Sequence, residues 1–377
     1  MLARFQTPLS DMINGVFRMY RRIFTNAVLV LAPFSLFIVA CGEKPKAVEG
    51  PAKPIGQPVA IRAPLGLPPV PVPADNPPTA DTIALGRRLY YDNRLSGDNT
   101  VACSNCHNPA MAFTDGRPVS LGVGGKTGTR NAPTVLNAAY NPLQFWDGRA
   151  KSLEDQAGGP IQNPLEMNQP HDVMVAKISK LTDYQAAFDK AFGPGAITVD
   201  KVEKSIASFE RTLITGNSPF DRYQYGGDKK AMSAAAIRGL AIFKDKQKGN
   251  CVVCHTIEDN YALFTDGKFH NIGEGLDSNG ELKDLGRYEQ THVDADRGAF
   301  KTPTLRNIAK TGPYMHDGHV KTLKDVVDFY VGGGTSNPYL DKEMKELKLK
   351  GPERADLVAF LEALTCEMPA NSGPPGQ

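Results

Sequence analysis

The sequence predicts a mainly α-helical, loop-rich protein built as two tandem halves related by internal duplication. Three observations predict it. The pentapeptide Cys-x-x-Cys-His occurs twice, as Cys103 to His107 and as Cys251 to His255. A second set of residues recurs at one constant spacing with no gap. Pro133-Thr134-Val135-Leu136-Asn137 returns as Pro303-Thr304-Leu305-Arg306-Asn307, Asp147-Gly148 as Asp317-Gly318, and Lys151, Leu153 and Asp155 as Lys321, Leu323 and Asp325. Finally, apolar residues keep helical spacing between long loops, and no convincing set of strands is visible.

Cys-x-x-Cys-His is the pattern of c-type haem attachment. Two thiols add across the haem vinyl groups, and the next residue gives its imidazole to the iron. Two copies imply two covalently attached haem c groups, held by Cys103, Cys106, His107, Cys251, Cys254 and His255. The halves are therefore expected to be tandem cytochrome c-like haem domains, each haem supplying much of its own domain's core, and the function to be redox chemistry. A formal net charge of +2 on 377 residues argues against a nucleic-acid partner.

Residues 1–40 read as an export signal. Arg4, Arg18, Arg21 and Arg22 precede the apolar stretch from Ala27 to Ala40, which is short for a membrane span. The stretch ends in Ile38-Val39-Ala40-Cys41-Gly42, similar to a bacterial lipoprotein cleavage box. On that reading Cys41 becomes the lipidated first residue and a membrane anchor; an ordinary cleaved signal and an uncleaved anchor are the other readings. All three export the haem domains, with a periplasmic location in a Gram-negative bacterium expected. Residues 41–78 are Pro-rich without apolar periodicity and are expected to form an extended tether holding the body off a membrane. Residues 79–215 and 216–377 are then the N-terminal and C-terminal haem domains.

Within them, Gly86 to Asp92 and Gly239 to Asp245 share Gly-x-x-aliphatic-aromatic-x-Asp ahead of each haem motif. Asp200 and Glu203 form a capping-box pattern before Val202, Ile206, Phe209 and Leu213. Leu357, Phe360, Leu361 and Leu364 form a last helical stripe after Pro352. Cys366 is left over, without an obvious partner. His171, His292 and His319 read as surface residues.

The repeat lets each half act as a control for the other. Cys-x-x-Cys-His supplies one axial ligand, and the other face of the iron decides between electron transfer and chemistry. At the repeat spacing Pro160 falls opposite Tyr330. Proline cannot ligate iron and a phenolate can, so an open first haem and a Tyr-ligated second haem follow, unless Tyr330 is simply a buried aromatic. Trp146, the one tryptophan, aligns with His316 and reads either as a carrier of oxidising equivalents between two irons or as a packing aromatic. Glu166 follows in a loop, where a carboxylate near an open haem could move protons; alone, a loop glutamate is usually just solvated. Gln156 reads as a surface or outer residue.

Asn131 to Met167, with Pro-Thr-Val-Leu-Asn, Gln-Phe-Trp-Asp-Gly-Arg-Ala and Gly-Pro-Ile-x-Asn-Pro-x-Glu-Met, resembles the bacterial di-haem cytochrome c peroxidases. So does Thr302 to Tyr330, with Pro-Thr-Leu-Arg-Asn-Ile and Pro-Tyr-Met-His-Asp-Gly. The resemblance covers roughly residues 79–365. It implies that the N-terminal haem reacts with hydrogen peroxide while the C-terminal haem takes in electrons. Trp146 would lie between them, and Glu166 would act in the peroxide pocket with Gln156 nearby. It also implies a calcium ion held by the Asn131 side chain and the main-chain carbonyls of Thr311 and Pro313. His316 would lie close to the second haem, as a propionate or outer contact, and His270 could do likewise.

Two departures resemble the MauG branch of that family. Ser120-Leu121-Gly122-Val123 carries Val123 where ordinary members have a distal His. Tyr330 stands where they have a Met ligand; Met315 is the competing ligand, but it precedes the Asp-Gly turn. A phenolate is anionic and hard, so a His–Tyr haem favours the more oxidised iron. The resemblance thus leaves two outcomes. One is peroxide reduction with a small redox protein as donor, a cytochrome c or a cupredoxin. The other is peroxide-dependent oxidation of residues on a partner protein. An electron-transfer lipoprotein without peroxidase activity is the reading from another class. Many relatives form homodimers.

Overall fold

The structure is a computed structural model and describes residues 50–376. The leader and Cys41 lie outside the described residues. Among the described residues the protein is helix-rich with little sheet. In chain order the helices are α1 (Ala80–Tyr90), α2 (Cys103–Cys106), α3 (Leu153–Gln162), α4 (His171–Ile178), α5 (Thr182–Phe192), α6 (Val199–Glu210), α7 (Pro219–Gln224), α8 (Ala234–Lys244), α9 (Tyr288–Thr291), α10 (Leu323–Val331) and α11 (Gly351–Glu362). The strands β1 (Phe269–His270) and β2 (Phe300–Lys301) pair antiparallel.

The helix starts follow from local chemistry. Thr79 and Thr82 cap α1 reciprocally: the Thr82 amide donates to Thr79 Oγ1 at 3.2 Å and the Thr79 amide to Thr82 Oγ1 at 2.9 Å. Pro352 sits in the first turn of α11, where a missing N–H costs nothing. For α6 the expected Asp200–Glu203 capping box is corrected. Thr198, in extended conformation, is the N-cap, and its hydroxyl accepts from the Lys201 amide at 3.3 Å. The helix thus begins before Asp200, which sits in its first turn, where the helix dipole favours a carboxylate.

Two hydrophobic clusters organise the body, one drawn from Leu85 to Leu213 and the other from Phe220 to Leu364. In the first, α1 crosses α6 and Tyr90 packs edge-on to Phe209 with centroids 5.2 Å apart. In the second, α8 crosses α11 and Phe243 meets Phe360 at 5.0 Å. Both crossings depend on a glycine. A Cβ at Gly86 would collide with the Ser205 carbonyl, and one at Gly239 with the Asp356 carbonyl.

Residues matched by the sequence repeat take matching local structure. Asn137 and Asn307 both lie in the left-handed region, at φ 63° and 60°. Thr134 and Thr304 each donate a hydroxyl hydrogen bond of 2.7 Å to a backbone carbonyl, of Ala112 and Leu263 respectively. The bridges Gln144↔Ala150 and Tyr314↔Val320 close equivalent turns. Ser152 and Thr322 cap α3 and α10 through the amides of Asp155 and Asp325.

The Pro-rich segment does not stand off the body, as the expectation of a free tether had it. The Ala52 amide donates to Asp200 at 2.8 Å and the Ile55 amide to the Ala191 carbonyl at 2.9 Å. Asn76 is fully buried, and its amide donates to Glu154 and to the Lys204 carbonyl. The Gly66 carbonyl accepts from Arg306 at 2.7 Å. A Pro-rich chain lacks many N–H donors but keeps every carbonyl, so it can dock wherever the body offers donors.

Candidate functional site

Each haem motif is held by an aromatic wedge. His107 ends α2, and its Nδ1 lies 3.2 Å from the Phe113 carbonyl; His255 Nδ1 lies 2.9 Å from the Phe264 carbonyl. A carbonyl only accepts, so Nδ1 carries the hydrogen in both and Nε2 is left for a metal. Phe113 and Phe264 are fully buried and adopt φ of 59° and 55°. Bulky residues rarely take that conformation, and here it turns the carbonyl towards the imidazole while the ring packs in the core. Burial lowers the pKa of both histidines, so each is the neutral ligand form.

A continuous cavity of about 400 Å³ is lined by Cys106 and His107 from one half and by Cys251, Cys254 and His255 from the other. It fits two haem groups chemically: free thiols, a ring nitrogen released by its neighbour's hydrogen bond, and predominantly apolar walls.

The structure brings most of the sequence-predicted site residues to this cavity. Trp146, Gln156, Pro160 and Glu166 line it on the side of the first motif. Glu166 is half-buried and accepts from the Asn163 amide nitrogen at 2.6 Å. Burial pushes its carboxyl above the ordinary glutamate range, against the opposing pull of Asn163 and Arg149. Val123 packs against the first core and its amide donates to the Glu166 carbonyl at 2.8 Å. That bond ties the loop lacking a distal imidazole to the loop carrying the carboxylate.

On the second side, Tyr330, Met315 and His316 line the same cavity. Tyr330 sits near the end of α10, where Pro160 sits on α3. Burial pushes its phenol well above its ordinary value, with the nearby sulfurs of Cys251 and Cys254 adding to the effect. Met315 takes φ 71°, as its repeat partner Phe145 takes 65°. His270 accepts a site between two carboxylates, Asp341 at 2.6 Å and Asp266 at 3.0 Å. The Cys254 sulfur and these carboxylates raise its pKa to about 10.

Trp146 lies where the two halves meet. Its indole N–H donates to the Asn131 carbonyl at 2.9 Å, its carbonyl accepts from the Lys301 amide at 2.8 Å, and the Asn131 amide donates to the His316 carbonyl at 2.7 Å. Asn131, Thr311 and Pro313 line the cavity together. The Asn131 amide nitrogen donates to the Arg117 carbonyl at 2.7 Å, which leaves its side-chain oxygen for another partner. Three uncharged oxygens suit a hard cation.

One surface assignment is corrected, and the left-over cysteine finds its place. His171 is half-buried and its Nε2 lies 2.8 Å from the Gly158 carbonyl, so it joins α4 to α3. Cys366 is buried beneath Arg306, with its amide donating to Asn307 at 2.8 Å. His292 and His319 are exposed. Sequence reasoning missed three charged residues. Lys301 lines the cavity, and burial alone lowers its pKa to about 8. Glu210 also lines it, buried, and burial raises its carboxyl to about 8. Glu274 is buried beside His316. None belongs to a motif; only an ionisable residue within an otherwise apolar helix stripe, as at Glu210, gave any signal.

A family model described as di-haem cytochrome c peroxidase matches residues 80–230. The methylamine utilization protein MauG of Methylophilus methylotrophus is 40% identical over 297 residues, covering 78% of this chain and 85% of that protein. The cytochrome c551 peroxidase of Nitrosomonas europaea is 38% identical over 299 residues, covering 79% and 84%. Among solved structures, a MauG-like protein associated with microbial copper homeostasis superposes with a TM-score of 0.72 at 33% identity, covering 81% of this chain and 95% of that one. The chain belongs to the di-haem cytochrome c peroxidase family, whose members carry two c-type haems.

Proposed function

We propose that this chain reduces hydrogen peroxide at its N-terminal haem, with electrons relayed from the C-terminal haem. One observation carries the reading: a single cavity runs between the two Cys-x-x-Cys-His sites, with Pro160 and Glu166 beside one and Tyr330 beside the other. Family membership supports it, as do relatives named as peroxidases. The haems supply the redox chemistry, in which peroxide takes two electrons and two protons to give two waters.

The protein's own residues then divide the work. Glu166, its carboxyl raised by burial, holds a proton to higher pH than an ordinary glutamate and passes it to the departing peroxide oxygen. Val123 and Pro160 carry no group that could ligate the first haem's iron, which would leave room there for peroxide. His107 and His255 would hold the two irons, Tyr330 would offer the second iron a further ligand, and Trp146 would carry oxidising equivalents between them. Gln156 lies beside Glu166's pocket, and His316 beside the second haem. The Asn131 side chain and the Thr311 and Pro313 carbonyls would hold a calcium ion. The matching turns and caps at the repeat spacing support an internal duplication, with haem domains at 79–215 and 216–377. The leader and Cys41 support export to the periplasm and a lipid anchor.

Tyr330 favours a second reading, oxidation of residues on a partner protein, since MauG is among the relatives. Stopped-flow mixing of the fully oxidised holoprotein with stoichiometric hydrogen peroxide tests the proposal. A fast change of the haem spectrum without prior reduction is expected. A reaction that waits for one added electron would sink the open-face assignment. Rapid turnover with a reduced cytochrome c or cupredoxin marks peroxide reduction, and slow turnover the second reading.

A further inference from the structure

Behind the Asp317-Gly318-His319 turn, three ligating side chains converge that the peroxide reaction does not use. Glu274 Oε1 lies 3.0 Å from His319 Nδ1, and Asp317 Oδ1 lies 2.8 Å from the same nitrogen. The three ligating atoms all fall within 4.8 Å of one another. Glu274 forms the floor, its side chain only 3% exposed, while Asp317 and His319 form the mouth at 32% and 54%.

The floor carboxylate is the unexplained group. Both Glu274 oxygens are buried and neither receives a directed hydrogen bond among the described residues. Oε2 lies 2.5 Å from His316 Nδ1 and Oε1 faces His319, but at both the geometry misses hydrogen-bond alignment. A buried carboxylate without directed donors is costly, because its charge has lost water and gained no aligned donor in return. A cation in the mouth removes that cost. Donor atoms about 3 Å apart are what adjacent ligands show around an ion with bonds of about 2.1 Å.

We propose that Glu274, Asp317 and His319 form a second metal site, for a divalent cation of borderline hardness such as zinc or manganese. One imidazole with two carboxylates selects that class, whereas calcium takes oxygen ligands in larger number. The open mouth leaves positions for water. The set is separate from the Asn131, Thr311 and Pro313 oxygens, and it does not depend on the peroxide reading. The turn is preorganised, since the His319 amide already donates to Asp317 Oδ1 at 3.1 Å.

The test uses the holoprotein, stripped with a chelator and then kept in excess calcium to saturate the oxygen site. Zinc is titrated calorimetrically, and retained zinc is measured after gel filtration. One zinc per chain is expected for the native protein and none for His319→Ala. Asp317→Asn should weaken binding about tenfold or more, since even loss of an outer partner brings that much. An unchanged haem spectrum reports that the variants are folded. No retained zinc in the native protein, or equal zinc in His319→Ala, would overturn the site.

Discussion

At the scale of single residues, two carboxyls near the first haem motif, half-buried Glu166 and buried Glu210, are set apart by their neighbours. Glu166 has Asn163 and Arg149 to steady its charge, whereas Glu210 Oε2 has no hydrogen-bond partner among the described residues. Glu166 is suited to proton transfer, so Glu166→Gln should slow the peroxide reaction by about 100-fold or more; stopped-flow rates check this. Glu210 makes a stability prediction. Burial raises its folded pKa to about 8, above the ordinary glutamate value of about 4.5, so the folded state binds the proton more tightly. Its contribution is fully present below about 4.5 and is lost as pH rises towards 8. Glu210→Gln should flatten that decline, raising the urea midpoint at pH 8 while leaving it little changed at pH 4.5.

At the scale of elements, the helix crossings explain why the Gly-x-x-aliphatic-aromatic-x-Asp pattern appears twice. The glycine admits the backbone of the facing helix, and the aromatic residue directly after the aliphatic one, Tyr90 or Phe243, fills the core beside Phe113 or Phe264. Gly86→Ala and Gly239→Ala should each destabilise by about 1–3 kcal/mol, because overpacking at a tight crossing forces the helices apart. Urea titration of each variant measures it. The wedges obey the same logic: Phe113 and Phe264 each spend an unfavourable φ to hold an imidazole in one orientation.

At the scale of the whole molecule, Arg306 ties three stretches of chain together. Its guanidinium makes a paired contact with Asp221 at 2.8 and 2.9 Å and also donates to the carbonyls of Ala262 and Gly66. Arg306 and Asp221 are 1% and 0% exposed at their side chains, so each is the other's compensation. Asp221→Asn should cost about 3–5 kcal/mol, the penalty of leaving a buried charge unpaired. Truncation through Gly66 should destabilise less, since it removes the Gly66 carbonyl and the backbone bonds of Ala52 and Ile55 but not the counter-charge. Denaturant midpoints of the two proteins give the order.

Much of this was legible beforehand because it is encoded in residues close together in the chain. The haem motifs, the Asp-Gly turns and the caps of α3 and α10 are short-range chemistry, and a repeat displays them twice. The cap of α6 was misassigned because Thr198 and Asp200 both carry capping oxygens, and only backbone conformation separates them. Docking of the Pro-rich segment was invisible, since its partners Asp200, Ala191, Glu154 and Arg306 are distant in sequence and bind mainly backbone groups or a single amide. The sequence by itself carried two Cys-x-x-Cys-His motifs, and it determined that the protein is helical and which family it joins. Tertiary structure alone decided which ionisable groups became buried. Lys301, Glu210 and Glu274 belong to no pattern, and their environments arise from chain segments that meet only on folding.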